Sequence, residues 1–352
     1  GLGRAWPNPS VGAVIANPET GELISRGVTA DGGRPHAETA AIKVAGERAK
    51  GASIYVTLEP CSHHGQTGPC ADAIIAAGLT RAIVAIEDPD PRVAGRGLDR
   101  LRAAGLEVIR GVGADQARYL TRGHIVRVTE RRPFVTLKLA LDADGNIEHG
   151  TGGAPRWVTS EVARAHGQLL RATSDAILVG AGTIRDDDPQ LTCRLPGLEA
   201  RSPVRVIVAG EAPLPAESKL FKTAKQTPVW VAGSKQEALA GLAGVELFGV
   251  EMIDTYKVGG RLWLPSLMEA LVARGITRLL VEGGPAMWRA FADASLADEV
   301  VVFLAGSGVP KTHEVLAIAR RWLGPLPLAF ADMRRVGGDT MWRFSRTISK
   351  EG

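Results

Sequence analysis

Short apolar segments alternate with helix-like segments twice along this chain of 352 residues. The first series begins at VGAVIA (11–16), and the second begins at FVTLKLAL (134–141), directly after TERRP (129–133). Strands that alternate with helices indicate an α/β domain, and a chain of this length favours two domains over one. The sequence therefore predicts two α/β domains, over 1–130 and 131–352, each with its own core.

Composition narrows the class of protein further. Apolar residues make up 45% of the chain, yet no apolar run reaches the ~18 residues that a membrane span needs, so no membrane partner is expected. Three cysteines are an odd and small number, which argues against a disulfide scaffold and predicts a reducing, cytoplasmic location. The net charge of +4 is interspersed along the chain, and aromatic residues are only 5%, so a nucleic-acid partner is not expected either.

The first residues, GLGRAWPNPS, have no basic region followed by an apolar stretch. They are not typical of a secretory signal peptide. Because the chain starts without methionine at a loop-like segment, we expect that further residues precede Gly1 in the full protein.

Side chains that suit a zinc site follow the first strands. His36 and Glu38 stand two apart at the start of an alanine-rich helix, and EPCSHHGQTGPC supplies Cys61 and Cys70. Zinc deaminases use one histidine and two cysteines as ligands, with a glutamate that does not bind the metal. Catalytic zinc sites have three protein ligands and one water. The pattern predicts that His36, Cys61 and Cys70 hold Zn²⁺ and that Glu38 is the catalytic residue.

The spacing departs from the usual deaminase motif, because eight residues separate the two cysteines instead of two. A longer loop adds little to the entropy of closing such a site. Both Cys61 and Cys70 are expected near helix N-termini, where thiolates are favoured. Zinc lowers the pKa of a bound water toward neutrality. Glu38 would take that proton and pass it to a ring nitrogen and then to a leaving amine.

The first half resembles the deaminase half of the bifunctional deaminase/reductase family of riboflavin biosynthesis, in PNPSVGAVI, HAE, YVTLEPCSHHGQTGPC and EDPDPRVAGRGLDRLRAAG. The second half is similar to the reductase of that family in FVTLKLALDADG, LLRATSDAILVGAGTIRDDDPQLTCR and LLVEGGPAMW. The resemblance covers nearly the whole chain. It implies a cytidine-deaminase-like three-layer α/β/α domain followed by a dihydrofolate-reductase-like α/β domain.

The same resemblance implies two reactions on one small phosphorylated pyrimidine. The first domain would deaminate a diaminopyrimidinone ribosylamine 5′-phosphate, and the second would reduce its ribosyl group to ribityl with NADPH. In the first domain, substrate contacts are implied for Asn8, His63, His64, Asp88, Asp90 and Gly97. In the second, NADPH contacts are implied for Ala140, Trp157, Thr183, Asp187 and Gly284, and substrate contacts for Arg171, Leu191, Arg194 and Glu282. A homo-oligomer, either a dimer or a tetramer, is also expected.

Several positions differ from the usual residues of that family. Gln66 stands where arginine or lysine is usual, Asp90 where asparagine is usual, and Asp142 where serine is usual. Ala154 or Pro155 falls where a serine contacts substrate, and residues 304–310 lie in a segment that lacks the usual APxLLGG run.

Two alternatives remain open at the level of sequence. In the first, the chain deaminates another pyrimidine nucleotide, and its C-terminal domain is catalytically degenerate and serves binding or assembly. The residues at Gln66, Asp90 and Ala154 motivate this hypothesis, and NADPH binding would distinguish it. In the second, the chain is an RNA-editing deaminase, which requires a basic face with exposed aromatic residues for stacking bases. The composition does not favour that alternative.

Overall fold

The computed structural model describes residues 1–65, 67–147, 157–210, 212–233, 249–259 and 261–346. The chain divides into two compact units, Gly1–Pro133 and Phe134–Gly352. Among the described residues, no helix combines the length and apolar character required to cross a bilayer. Gln66, Ala154 and Pro155, which differ from the family pattern, lie outside the described residues.

The first unit contains one mixed sheet of five strands in the order β2-β1-β3-β4-β5. Strand β1 runs antiparallel to both of its neighbours, whereas β3, β4 and β5 are parallel. Its elements are, in chain order, β1 (Gly12–Ala16), β2 (Leu23–Val28), α1 (Ala37–Ala45), β3 (Ser53–Val56), α2 (Cys70–Ala76), β4 (Arg81–Val84), α3 (Arg96–Ala103), β5 (Glu107–Arg110) and α4 (Ala114–Glu130).

Helix α1 packs closely on the sheet because small residues line the contact. Ala37 and Ala41 are fully buried on the helix side. On the β2 side, a Cβ atom at Gly27 would lie 2.2 Å from the carbonyl oxygen of Ala37, which is far inside a normal contact. Glycine at position 27 therefore lets α1 approach the sheet, and this packing fixes the turn that carries Glu38.

The second unit contains a sheet of nine strands in the order β10-β9-β8-β7-β13-β6-β14-β16-β15. The strands from β10 to β14 in that order are parallel, and β16 is antiparallel to β14 and β15. Its elements are β6 (Phe134–Leu141), α5 (Glu161–Ala172), β7 (Ala176–Gly180), α6 (Ala181–Asp187), β8 (Val204–Val208), α7 (Lys219–Lys222), β9 (Val229–Gly233), β10 (Val250–Asp254), β11 (Lys257–Val258), β12 (Arg261–Leu262), α8 (Leu264–Ala273), β13 (Arg278–Val281), α9 (Pro285–Asp293), β14 (Glu299–Leu304), α10 (Thr312–Leu323), β15 (Leu328–Val336) and β16 (Asp339–Arg346). Strands β11 and β12 form a separate pair.

The central strands of this sheet are nearly continuous apolar runs, such as AILVG in β7 and EVVVFL in β14. Such runs are typical of parallel strands that are buried on both faces. Strand β13 lies between β7 and β6, so the carboxyl ends of these three strands meet at one edge. In open α/β sheets, ligands bind at that edge, and the chain places Glu282 and the start of α6 there.

Several elements of the fold were not predicted from the sequence: the helices α4, α6, α7 and α10, the strands β10, β11 and β12, and the β15–β16 hairpin. Helix α4 buries Thr121 and Arg122 beside Ala117 and Val126, so polar residues interrupt its apolar periodicity. The hairpin turns at Gly337 and Gly338, between paired Val336 and Asp339. A Gly-Gly pair between two strands is typical of a two-residue hairpin loop, and this signal was present in the sequence.

Candidate active sites

The three predicted metal ligands come together in the first unit. His36 immediately precedes α1, Cys61 lies in the loop after β3, and Cys70 is the first residue of α2. His36 Nδ1 lies 3.2 Å from Cys70 Sγ and 3.7 Å from Cys61 Sγ. One ligand atom from each residue lies within 4.8 Å of the others. We call these three residues the metal cluster.

The residues of the metal cluster shift one another's pKa values. A hydrogen bond from the thiol of Cys70 lowers the pKa of Cys61 to about 4, and His36 and the backbone N–H of Cys70 contribute to this shift. The same contact with Cys61, together with burial, raises the pKa of Cys70. The hydrogen bond with Cys61 raises the pKa of His36. Two sulfurs and one imidazole nitrogen around one point are the ligand types of a catalytic zinc site, so these residues fit the ion.

Glu38 lies in the first turn of α1 and is only 3% exposed. Burial raises the pKa of its carboxyl group to about 7, and the carboxyl group also interacts with the thiol of Cys70. A group that titrates near neutral pH is suited both to accept and to donate a proton. The structure thus places a buried carboxyl group that is suited to proton transfer beside Cys70 of the metal cluster.

Asn8 also lies against the metal cluster. Its side-chain amide donates to the carbonyl oxygen of Gly33 at 2.9 Å, and its Nδ2 atom lies 3.4 Å from His36 Nε2. A side chain at Gly33 would collide with Asn8, because a Cβ atom there would lie 2.8 Å from it. His63 and His64 are exposed on the loop between the two cysteines. Substrate contact by Asn8 and by the two histidines stays a prediction.

Asp88 and Asp90, for which substrate contacts are implied, each pair with a side chain of the same unit. The carboxylate of Asp88 lies 2.9 Å from His124 Nε2 of α4 and accepts the backbone N–H of Asp90 at 2.9 Å. The carboxylate of Asp90 pairs with the guanidinium of Arg92, with one N–O distance of 2.6 Å. This hydrogen-bonded partner lowers the pKa of Asp90 to about 2. Substrate contacts by Asp88 and Asp90 likewise stay predictions.

Gly97 is buried at the start of α3. A Cβ atom at this position would lie 2.1 Å from the carbonyl oxygen of Pro60. Glycine here therefore lets the backbone of α3 pack against the segment that leads to Cys61. This packing contact explains the residue type, and its predicted contact with substrate is not tested by the structure.

Glu59 is a residue that the sequence interpretation missed. It is 3% exposed and lies two positions before Cys61. Its carboxylate accepts four backbone N–H groups, from Asp88 at 3.2 Å, Gly95 at 3.0 Å, Gly97 at 2.9 Å and Leu98 at 3.3 Å. It therefore ties the 88–98 segment to the segment after β3 that carries Cys61 of the metal cluster. The only sequence signal was a glutamate directly before Pro60.

In the second unit, Arg171 and Glu282 form a buried two-point ion pair. Arg171 Nε and Nη2 donate to the two carboxylate oxygens of Glu282, each at 2.8 Å, and Arg171 Nη1 donates to the carbonyl oxygen of Thr192 at 3.1 Å. Burial alone would raise the pKa of Glu282, but the pair with Arg171 outweighs it and lowers the pKa to about 2. Glu282 follows β13, so this pair lies at the ligand-binding edge of the sheet.

Lys138 is a second residue that the sequence interpretation missed. Its Nζ atom lies 3.9 Å from Glu282 Oε2, and burial lowers its pKa. Lys138 and Ala140 are the two partly exposed positions of β6, two residues apart and so on one face. Arg194 is exposed, and its charge acts on Arg171 and Glu282. Lys138, Arg171 and Arg194, here called the cationic cluster, thus surround one carboxylate and favour an anionic ligand.

Two of the predicted NADPH contacts, Thr183 and Gly284, lie at helix starts that follow strands of the sheet. Gly180 precedes α6 and Gly284 precedes α9, and neither residue makes a side-chain capping bond. A Cβ atom at Gly284 would meet nothing within 4 Å. Free amides at helix N-termini bind phosphate groups, so this edge fits a dinucleotide. Thr183 and Asp187 lie on α6.

Two further predicted contacts have distinct geometry. Leu191 is buried with a left-handed backbone, at φ 56°. Trp157 is 60% exposed, and the guanidinium carbon of Arg164 lies 5.0 Å from the centre of its ring. The structure places both residues in the second unit, and their contacts with substrate and NADPH stay predictions.

The metal cluster with its buried glutamate defines a zinc-dependent deaminase of the cytidine-deaminase class in the first unit. Residues 3–86 match the family model of the cytidine and deoxycytidylate deaminase zinc-binding region, and residues 133–308 match that of the RibD C-terminal domain. The chain is 37% identical to the riboflavin biosynthesis protein RibD of Escherichia coli strain K12, over 95% of this chain and 92% of that protein. It is 38% identical to RibD of Aquifex aeolicus, over 86% of this chain and 82% of that protein.

Solved structures agree with these sequence matches. A diaminohydroxyphosphoribosylaminopyrimidine deaminase/5-amino-6-(5-phosphoribosylamino)uracil reductase from Thermotoga maritima superimposes with a TM-score of 0.81 at 33% identity, covering 98% of this chain and 94% of that one. Acinetobacter baumannii RibD, form 1, gives a TM-score of 0.81 at 31% identity, covering 99% of this chain and 95% of that one.

The chain belongs to the RibD family of riboflavin biosynthesis proteins. It is a bifunctional deaminase and reductase with zinc and NADPH as cofactors, as predicted. The predicted family, the deaminase-like and reductase folds and the two activities are therefore confirmed. The alternative of a degenerate C-terminal domain is not favoured, because that domain matches the family's own reductase.

Proposed function

We propose that residues 1–130 deaminate a diaminopyrimidinone ribosylamine 5′-phosphate. Residues 131–352 then reduce the ribosyl group of the product to ribityl with NADPH. The observation that carries the proposal is the convergence of His36, Cys61 and Cys70 beside the buried carboxyl of Glu38. The activities named for the Thermotoga maritima enzyme support this choice of substrates.

In the deaminase, His36, Cys61 and Cys70 would hold the zinc ion. When bound, zinc supplies a water whose pKa is lowered toward neutrality. Glu38 carries one proton of the attacking water to a ring nitrogen and then carries the second proton of that water to the leaving amine, which departs as ammonia. Asn8, fixed by its bond to Gly33, holds the pyrimidine beside the metal cluster. Glu59 keeps the 88–98 segment in place and is a positioning residue.

In the reductase, NADPH supplies the hydride, and the protein supplies position and polarity. Glu282 holds the guanidinium of Arg171 in one orientation. Arginine suits a phosphate because its planar fork donates two parallel hydrogen bonds. Arg171 and Arg194 therefore bind the phosphorylated substrate, with Leu191 and Glu282 against its polar arm. Ala140, Trp157, Thr183, Asp187 and Gly284 contact NADPH.

The proposal includes a cytoplasmic location and a homo-oligomeric state, dimer or tetramer, with no nucleic-acid partner. All three cysteines are free, which suits a reducing compartment. Light scattering of the pure protein after size exclusion measures the mass directly. A monomer of 37.1 kDa at working concentration would contradict the oligomeric part.

The test of the whole proposal is a pair of assays on one preparation, with its zinc content measured. The first assay measures ammonia release from the diaminopyrimidinone ribosylamine 5′-phosphate. The second measures NADPH oxidation with the deaminated product as substrate. Both activities are expected. Failure of the first assay in zinc-loaded protein would overturn the deaminase substrate, and failure of the second would overturn the reductase assignment.

A further inference from the structure

The loop that connects the two metal-binding cysteines carries no cation of its own. Residues 62–69 read SHHGQTGP, without lysine or arginine. His63 and His64 are exposed on this loop. A phosphorylated substrate that reaches the metal cluster past this loop therefore needs a positive charge supplied from another part of the chain.

Arg34, in the segment that precedes α1, brings a guanidinium to this loop. In the sequence, Arg34 follows Gly33, whose carbonyl oxygen accepts a hydrogen bond from Asn8, and it stands two residues before His36 of the metal cluster. Arg34 Nη1 donates to Thr67 Oγ1 at 2.8 Å. A Cβ atom at Gly65 would lie 3.3 Å from Arg34 Nη2. The guanidinium thus lies along the loop between residues 65 and 67.

Among the described residues, no carboxylate pairs with Arg34, whereas three other arginines of the first unit each have such a partner. Arg4 pairs with Asp31, Arg92 with Asp90, and Arg100 with Asp72. Arg34 is partly buried, and its charge acts on the imidazole of His36. Its bond to Thr67 uses one of five N–H donors. The remaining donors and an uncompensated charge are what a phosphate requires.

We propose that Arg34 binds the phosphate of the deaminase substrate and so determines its preference for phosphorylated pyrimidines. The inference rests on the proposed deaminase function. In this arrangement Asn8 and Arg34, on either side of Gly33, bind different parts of one molecule. Asn8 holds the pyrimidine beside His36, and Arg34 holds the phosphate over the loop. Thr67 fixes the guanidinium in that position.

The test compares Arg34→Gln and Arg34→Lys with the unaltered enzyme on two substrates. One is the diaminopyrimidinone ribosylamine 5′-phosphate, and the other is the same compound after phosphatase treatment. For Arg34→Gln, KM for the phosphorylated substrate should rise about 10- to 100-fold, the range expected for a charged hydrogen bond. Its kcat/KM for the dephosphorylated substrate should stay within about twofold of the unaltered enzyme. Arg34→Lys keeps the positive charge but lacks the planar pair of donors. Its KM for the phosphorylated substrate should therefore lie between the values of the unaltered enzyme and Arg34→Gln.

Arg48→Gln is the matched control, because Arg48 is an exposed arginine of the same unit that pairs with Glu22. Its kinetics should not change. Zinc content and NADPH oxidation report whether each variant is folded. A KM for the phosphorylated substrate that is unchanged in Arg34→Gln would overturn the proposal, and so would equal losses on both substrates. If the unaltered enzyme releases no ammonia from either compound, the deaminase function itself fails.

Discussion

The candidate sites of the two units are held by different interactions. In the first unit, hydrogen bonds among two thiols and one imidazole hold the metal cluster. In the second unit, ionic interactions with the Glu282 carboxylate hold the cationic cluster. A hydrogen bond between the two cysteines lowers the pKa of Cys61 and raises that of Cys70, and a bound metal ion would take the place of the proton in that bond. The cationic cluster keeps its charges without any added ion, because the Glu282 carboxylate offsets part of them. The difference teaches that the first site needs its cation to act, while the second is preorganised for an anion by the chain alone.

The largest expected effect is that of removing the metal. Dialysis against a chelator should reduce ammonia release to background and leave NADPH oxidation with the deaminated substrate intact. Within the part of the chain that the structure describes, the metal cluster is the only group of three side chains that could hold a metal ion. Zinc added back should restore ammonia release. If the chelator abolished both activities, the two sites would not be independent in the way the comparison requires.

Glu38→Gln removes proton transfer without removing a metal ligand. Ammonia release should fall about 10²- to 10⁴-fold, the usual contribution of a general acid–base group. Zinc content and NADPH oxidation should match the unaltered enzyme, which gives each preparation an internal control for folding. Normal deamination by this variant would show that the role assigned to Glu38 is wrong.

Glu282→Gln removes the carboxylate at the centre of the cationic cluster. The pKa of Glu282 is lowered from 4.5 to about 2 in the folded protein, so its stabilising effect is present above pH 4.5 and is lost as pH falls toward 2. A shift of this size corresponds to about 3 kcal/mol. The variant should therefore be less stable at pH 7 by about that amount, with the gap to the unaltered protein closing on acidification.

Urea unfolding of the second unit at pH values between 7 and 3 measures this gap. Glu269→Gln, at an exposed position on α8, is the matched control and should leave stability unchanged. A gap that stayed constant down to pH 3 would mean that Glu282 is not ionised more readily in the folded state than in the unfolded one.

The smallest effect is expected for Glu59→Gln. The amide keeps one oxygen but presents an NH₂ group to backbone N–H donors, so about 1 to 3 kcal/mol of stability should be lost. KM for the deaminase should rise because the 88–98 segment is less firmly held, with zinc content unchanged. Glu47→Gln, at an exposed position, is its control. Loss of zinc in Glu59→Gln would place Glu59 in support of the metal instead.

The accuracy of prediction also differs between the two sites. The sequence pattern grouped the four residues predicted for the deaminase centre, and the structure brings them together, because sulfur, imidazole and a nearby carboxylate serve few purposes together. In the second site, Lys138 was missed. The sequence FVTLKLAL does not show which residue its lysine pairs with. Only the strand order, with β13 beside β6, brings Glu282 within 3.9 Å of Lys138.

The sequence by itself determined the alternation of strands and helices, the family and the residue types that could hold a metal ion, because these follow from local periodicity and from rare residue types. Only the tertiary structure decided which charges are paired. The Arg171–Glu282 pair and the Arg34–Thr67 bond join residues far apart in the chain, and strand order and loop closure bring them together. Pair formation depends on distances of a few ångströms, and the spacing of residues along the chain does not specify those distances.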